Sequence, residues 1–186
     1  MADFSLKESA PFDGCDLPID LGAARLEPVA MGAIIEVMPF QGQAMAVTAA
    51  MKSLFGAALP KVGETLKTDS AEVFWYGQGQ WMVCGADSAA LTSELDGLAA
   101  LVDQSSAYAT LYLTGEDHHA VLARLCPLDF DQLKPGQVAR SDFAHISATF
   151  IPDENGMRIL LPRSFARAGY ESVVDVMKSI AAQKLL

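Results

Sequence analysis

The feature that most constrains this chain is an order of elements that occurs twice. In the first half, Met31 to Met38 fits a strand ended by Pro39. Gln43 to Gly56 then fits a helix with Ala44, Val47, Met51, Leu54 and Phe55 on one face. Pro60 and Gly63 break that helix. Glu72-Val73-Phe74-Trp75-Tyr76 and Gln80-Trp81-Met82-Val83-Cys84 flank the turn Gly77-Gln78-Gly79 as a hairpin. Asp87 or Ser88 can cap a following helix with the apolar stripe Leu91, Leu95, Leu98 and Val102.

The second half repeats the order. Tyr108 to Leu113 alternates as a strand, and Glu116 to Cys126 reads as a helix stopped by Pro127, with Val121, Leu122 and Leu125 inward. Lys134-Pro135-Gly136-Gln137 makes a connector turn. Phe143 to Ile151 and Met157 to Leu161 are strands about the turn Asp153-Glu154-Asn155-Gly156. Ser164 can cap a last helix whose apolar face is Tyr170, Val173, Val174, Met177, Ile180 and Ala181. Both halves read β-α-β-β-α, which predicts an internally duplicated α+β domain over 29–186, with lobes at about 29–103 and 104–186. A unit of about 75 residues buries little surface alone, so the two sheets are expected to share one core and not to be separable.

Residues 1–28 precede this pattern. They carry Asp3, Glu8, Asp13, Asp16, Asp20 and Glu27 against Lys7 and Arg25, are punctuated by Pro11, Gly14, Pro18 and Gly22, and show no period. They read as an extended acidic arm with few internal contacts, whose Phe4, Leu6, Phe12, Leu17 and Ile19 would anchor it on a basic partner surface.

Composition narrows the function classes. With 51% hydrophobic and 19% charged residues, the chain can bury a core. Its longest apolar runs fall short of the roughly 20 residues that cross a bilayer, and the start lacks a basic, apolar leader, so a cytoplasmic protein without membrane contact is expected. Thirteen basic and 23 acidic residues give a net charge of -10, which repels a phosphate backbone and argues against nucleic acid. Cys15, Cys84 and Cys126 form no C-x-x-C pair and read as reduced, buried thiols.

No catalytic constellation emerges. His118 and His119 are neighbours on a helix, about 100° apart, and cannot ligate one metal as an i, i+4 pair would; His145 is isolated in a strand and needs a polar neighbour or an interface. Gly77-Gln78-Gly79 lacks the third glycine of a dinucleotide loop, Met82 standing in its place, and no Walker loop occurs. Ser105, Ser106 and Ser164 suit turns and caps, and no nucleophile elbow accompanies them. Asp129 and Asp131 sit in a solvated loop rather than a buried acid–base pair. Arg163 and Arg167 lie at the start of the last helix, where cations oppose the dipole, so each calls for an internal carboxylate or an anion from a partner or ligand. Trp75 and Trp81, across one hairpin, are core residues or interface anchors.

Several stretches carry a resemblance. Asp103-Gln104-Ser105, Leu111-Tyr112-Leu113-Thr114-Gly115-Glu116-Asp117, Val121 to Asp129, Lys134-Pro135-Gly136-Gln137 and Pro162-Arg163-Ser164-Phe165-Ala166 resemble the gamma subunit family of heterotetrameric sarcosine oxidase, over about residues 100–170. That family is similar to the folate-binding domain of the glycine-cleavage T-protein, itself duplicated. Its folate-processing relatives carry a glycine and an acidic pair after the Pro-Gly-Gln-like turn; here the comparable stretch, His145 to Phe150, has no acidic pair. The resemblance thus implies a non-catalytic subunit in a complex that oxidatively demethylates sarcosine to glycine. It implies larger alpha and beta subunits and a small delta subunit as partners, with FAD, FMN, NAD and tetrahydrofolate held by them. The other reading is a stand-alone, folate-binding aminomethyltransferase-like protein of one-carbon metabolism. Arg163, Arg167, His145, Trp75 and Trp81 are the candidate partner or anion contacts.

Overall fold

Alternation along one strand sets the layering. Leu111 and Leu113 of the strand Tyr108–Thr114 are wholly buried against helices, while Tyr108 packs in a separate apolar cluster on the opposite face. The computed structural model describes residues 9–185. Its strands are β1 (Ile19–Leu21), β2 (Ala24–Val29), β3 (Ile34–Pro39), β4 (Thr65–Lys67), β5 (Glu72–Gly77), β6 (Gln80–Cys84), β7 (Ala99–Asp103), β8 (Tyr108–Thr114), β9 (Ala139–Phe143), β10 (Ile146–Pro152) and β11 (Gly156–Pro162). The helices are α1 (Ala44–Phe55), α2 (Ser88–Glu94), α3 (His118–Leu122) and α4 (Ala166–Gln183), the last preceded by a 3-10 turn at Arg163–Phe165.

Two antiparallel sheets result, one in the order β1-β2-β8-β11-β10-β9 and the other β4-β5-β6-β3-β7. Three cores separate four layers. The first packs Leu26, Leu111, Leu113, Phe150 and Ile159 of the six-stranded sheet against Val173, Val174 and Met177 of α4 and Val121 and Leu122 of α3. The second packs Ile35, Val37, Val73 and Val83 against Val47 and Met51 of α1 and Leu91 of α2. Between the sheets, Ile34, Phe74, Met82 and Cys84 meet Ile151 and Leu160. Burying side chains such as Leu26 or Leu113 contributes about 1.5–3 kcal/mol each, which binds every layer to its neighbour.

The structure departs from the sequence reading in five places. The stretch assigned to an acidic arm is, from Ile19 to Val29, the hairpin β1–β2, and β2 pairs along β8 from Arg25↔Thr114 to Val29↔Thr110. Phe12, Leu17, Ile19 and Leu21 pack on the core of that sheet; Phe4 and Leu6 lie outside the described residues. Gly115, at φ +95°, lets the end of β8 come within contact of Ala23, where a Cβ would overlap that residue's carbonyl. The helix read through Val102 stops at Glu94. Gly97 turns the chain at φ +70°, and Leu101 and Val102 alternate in β7, which pairs with β3.

The strand read as Phe143 to Ile151 is two strands, β9 and β10, folded about Ala144 and His145 with φ of +47° and +68°. No glycine or asparagine marks this primed turn, so the sequence hides it. The helix at Glu116 to Cys126 is ordered as α3 over five residues only, and Ser164 makes no capping bond, the first residue outside α4 being Phe165. Asp87 does cap α2, its Oδ1 accepting the amide of Ala89 at 2.9 Å.

Candidate functional site

Charge in an apolar strand needs a partner, and the inter-sheet layer supplies one. Glu72 opens β5 and Arg158 interrupts the apolar run of β11, both on the faces that meet between the sheets. Arg158 donates from Nη1 and Nη2 to the two Glu72 carboxylate oxygens, at 2.5 and 2.7 Å, with both side chains largely buried. Burial opposes the Arg158 charge, but the hydrogen bonds to Glu72 and its negative charge outweigh it and hold the pKa up. Cys84, opposite Glu72 in the β5–β6 ladder, is pushed up to about 12 by burial and by the Glu72 charge, so it stays a thiol and is no nucleophile at neutral pH. The Tyr76 and Tyr108 hydroxyls share a 2.5 Å hydrogen bond in the same layer. Arg140 lies 4.0 Å over the Tyr76 ring and donates to the Tyr76 carbonyl at 2.9 Å.

An open cavity of about 440 Å³ borders the Glu72–Arg158 pair, with Lys67, Asp69, Tyr112 and Asp153 at its rim. A second, of about 610 Å³, lies between the N-terminal segment and the β2–β3 link and is lined by apolar groups including Phe12, Val29 and Met31. Ser105 also lines this second cavity; its hydroxyl and its amide both donate to Asp103 Oδ1, at 2.6 and 2.9 Å, which ties the serine into the turn after β7. The strand comparable to the folate-binding stretch, β10, turns Ile146, Ala148 and Phe150 into one core and Ile151 into another, and holds no ionisable side chain.

The candidate contacts from sequence do not converge. Arg167 finds its anion in Glu171, one helical turn on, with Nε donating to Oε1 at 3.0 Å. Arg163 donates instead to the Ser9 carbonyl, and no carboxylate among the described residues pairs with it. His145 is no strand residue: it is the second, exposed residue of the β9–β10 turn. Trp81 is tied inward, its indole N–H donating to the Pro60 carbonyl at 2.9 Å, and Trp75 packs on the inter-sheet cluster, so both act as partly buried packing residues. The rings of His118 and His119 lie 4.2 Å apart, yet His118 Nδ1 meets the Gly115 carbonyl and His119 Nδ1 meets Asp131, which gives them separate partners. Sequence reasoning missed Glu72 and Arg158. The available signal was a charged residue inside an apolar strand, which implies an opposite charge facing it.

Among the described residues, six large apolar side chains are exposed: Phe40, Met45, Val62, Val102, Phe165 and Leu185 keep from 40% to 88% of their surface open. Among the described residues no helix is long and apolar enough to cross a membrane.

No family model matches the chain, and no curated protein matches it. Among solved structures, a chain of the heterotetrameric sarcosine oxidase from Corynebacterium sp. U-96, in complex with pyrrole 2-carboxylate, has 24% identity and a TM-score of 0.74. The match covers 88% of this chain and 88% of that one. The regulatory subunit of aspartate kinase from Thermus thermophilus covers 84% of this chain and 99% of its own at 13% identity, but its TM-score of 0.42 is too low to indicate common architecture. The resemblance carried by residues 100–170 therefore meets the same enzyme in three dimensions, and this chain shares the fold of one chain of a heterotetrameric sarcosine oxidase over nearly its whole length.

Proposed function

We propose that this chain is the gamma-type, non-catalytic subunit of a heterotetrameric sarcosine oxidase and supports assembly of the complex. The observation that carries the reading is coextension: the match spans 88% of this chain and 88% of that one. The inter-sheet layer adds to it. Its buried charges are spent on each other and its thiol is held neutral, an arrangement that stiffens a scaffold rather than moving protons. On this reading the alpha, beta and delta subunits hold FAD, FMN, NAD and tetrahydrofolate, and the assembled complex works in the cytoplasm.

We also infer that the two sheets come from one duplicated unit. The orders β4-β5-β6-β3-β7 and β9-β10-β11-β8-β2 match position by position, with α1 and α2 punctuating the first as α3 and α4 do the second.

The test is co-expression of the four subunits with and without this chain. The complex is expected to assemble and oxidise sarcosine only with it, and the chain alone to bind no flavin and turn nothing over. A complex of unchanged mass and activity in its absence, or turnover by the chain alone, overturns the proposal.

A further inference from the structure

Four strands end the two sheets, and they are not alike. β1 and β4 have three residues each, and β4 is covered: the Thr65 amide donates to the Gly136 carbonyl and the Val138 amide to the Gly63 carbonyl. β9 carries Arg140 and Asp142, charges that discourage further pairing. β7 reads Ala99-Ala100-Leu101-Val102-Asp103 and is apolar to its last residue. Its hydrogen-bond phase is fixed by two contacts, Phe40 N to Leu98 O at 2.9 Å and Gln104 N to Ile34 O at 2.8 Å. Even-numbered residues therefore bond to β3. The amides and carbonyls of Leu101 and Asp103, with the carbonyl of Ala99, point outward along the free edge.

The other sheet shows what this position accepts. β7 lies beside β3 where β2 lies beside β8, and β2 carries β1 on its outer side through Ile19↔Leu26 to Leu21↔Ala24. β7 has no such neighbour among the described residues. Beside this edge stand two exposed apolar groups, Phe40 and Val102, 49% and 40% open, with exposed acidic residues at both ends: Glu94 and Asp96 before β7, and Asp103 at its end.

We propose that the β7 edge receives an extended strand of a partner polypeptide, apolar in its middle and flanked by Lys or Arg, which takes the place that β1 holds on β2. The inference rests on the reading of this chain as a subunit. Backbone hydrogen bonds at Leu101 and Asp103 supply the docking, Phe40 and Val102 the apolar contact, and the acidic ends the choice of a basic partner. A second copy of the chain is the wrong occupant, since each carries a net charge of -10 and the same acidic ends.

The experiment is hydrogen exchange on the full chain, free and in the native complex recovered from its source cells through a tag on this chain, with mass measurement of the complex. The Leu101 and Asp103 amides are expected to exchange rapidly in the free chain and at least tenfold more slowly in the complex. Val102→Lys, at an exposed site, is expected to cut recovery of the complex at least tenfold with the thermal midpoint of the free chain unchanged. A heteromeric complex with no added protection at Leu101 and Asp103 overturns the edge proposal and leaves the subunit reading intact. Recovery of the chain alone as a monomer overturns both. A homodimer protected at Leu101 overturns the heterologous occupant.

Discussion

Arg158 and Glu72 show how a single pair can hold two sheets together. Both charges are largely out of water and meet through two short contacts, with the buried Arg158 Nε left without a partner, so removing one member strands the other. Glu72→Ala or Arg158→Ala is expected to lower stability by about 3–5 kcal/mol, whereas Glu72→Leu with Arg158→Met recovers most of that loss. Urea unfolding of the singles and the double variant checks it; a double-variant loss equal to the sum of the two single losses would mean the pair is not coupled. The β9–β10 turn offers the opposite test. Ala144 and His145 both sit at positive φ, which side chains other than Asn, Asp and Gly adopt at a cost of about 1–2 kcal/mol each. Replacing them with Asn-Gly is expected to raise stability by about 1 kcal/mol, moving the thermal midpoint up by roughly 2–4 °C. A lowered midpoint would show that His145 makes a contact the free chain depends on.

At the scale of elements, β2 carries the correction with the widest effect. Its pairing with β8 and the complete burial of Leu26 make it an interior strand of its sheet, flanked by β1 on the other side. Deleting residues 1–28 is therefore expected to abolish cooperative unfolding rather than spare the fold; circular dichroism melts of the truncated chain decide it, a sharp transition being the contrary result. The β5–β6 hairpin was legible because dense apolar strands flank a glycine-bearing turn. β2 was not, because Arg25, Glu27 and Pro28 break up its apolar run and its partner lies far along the chain. β7 was hidden for another reason: Leu91, Leu95, Leu98 and Val102 fit a helical stripe, and only Gly97 marks where that stripe is cut. The Arg167–Glu171 contact follows from helical spacing, while Glu72 and Arg158 stand 86 positions apart and meet only when two sheets face each other.

For the whole molecule, the two sheets differ in how they use the chain. The β4-β5-β6-β3-β7 sheet lies within residues 34–103, without interruption. The other takes β1 and β2 from one end of the chain and β8 to β11 from the other, so it closes around the first in sequence as well as in space. A chain emerging from the ribosome at about 5–20 residues per second completes the contiguous sheet first, and its β1–β2 hairpin waits on the order of several seconds for β8. Through that interval the hairpin is an apolar ribbon with nothing to cover Leu26, the kind of segment that draws in strands from neighbouring nascent chains. Asp20, Arg25, Glu27 and Pro28 lie within or beside its strands. The charges and the proline that make this stretch look like a loose arm act as gatekeepers, keeping it soluble until the second half of the protein arrives.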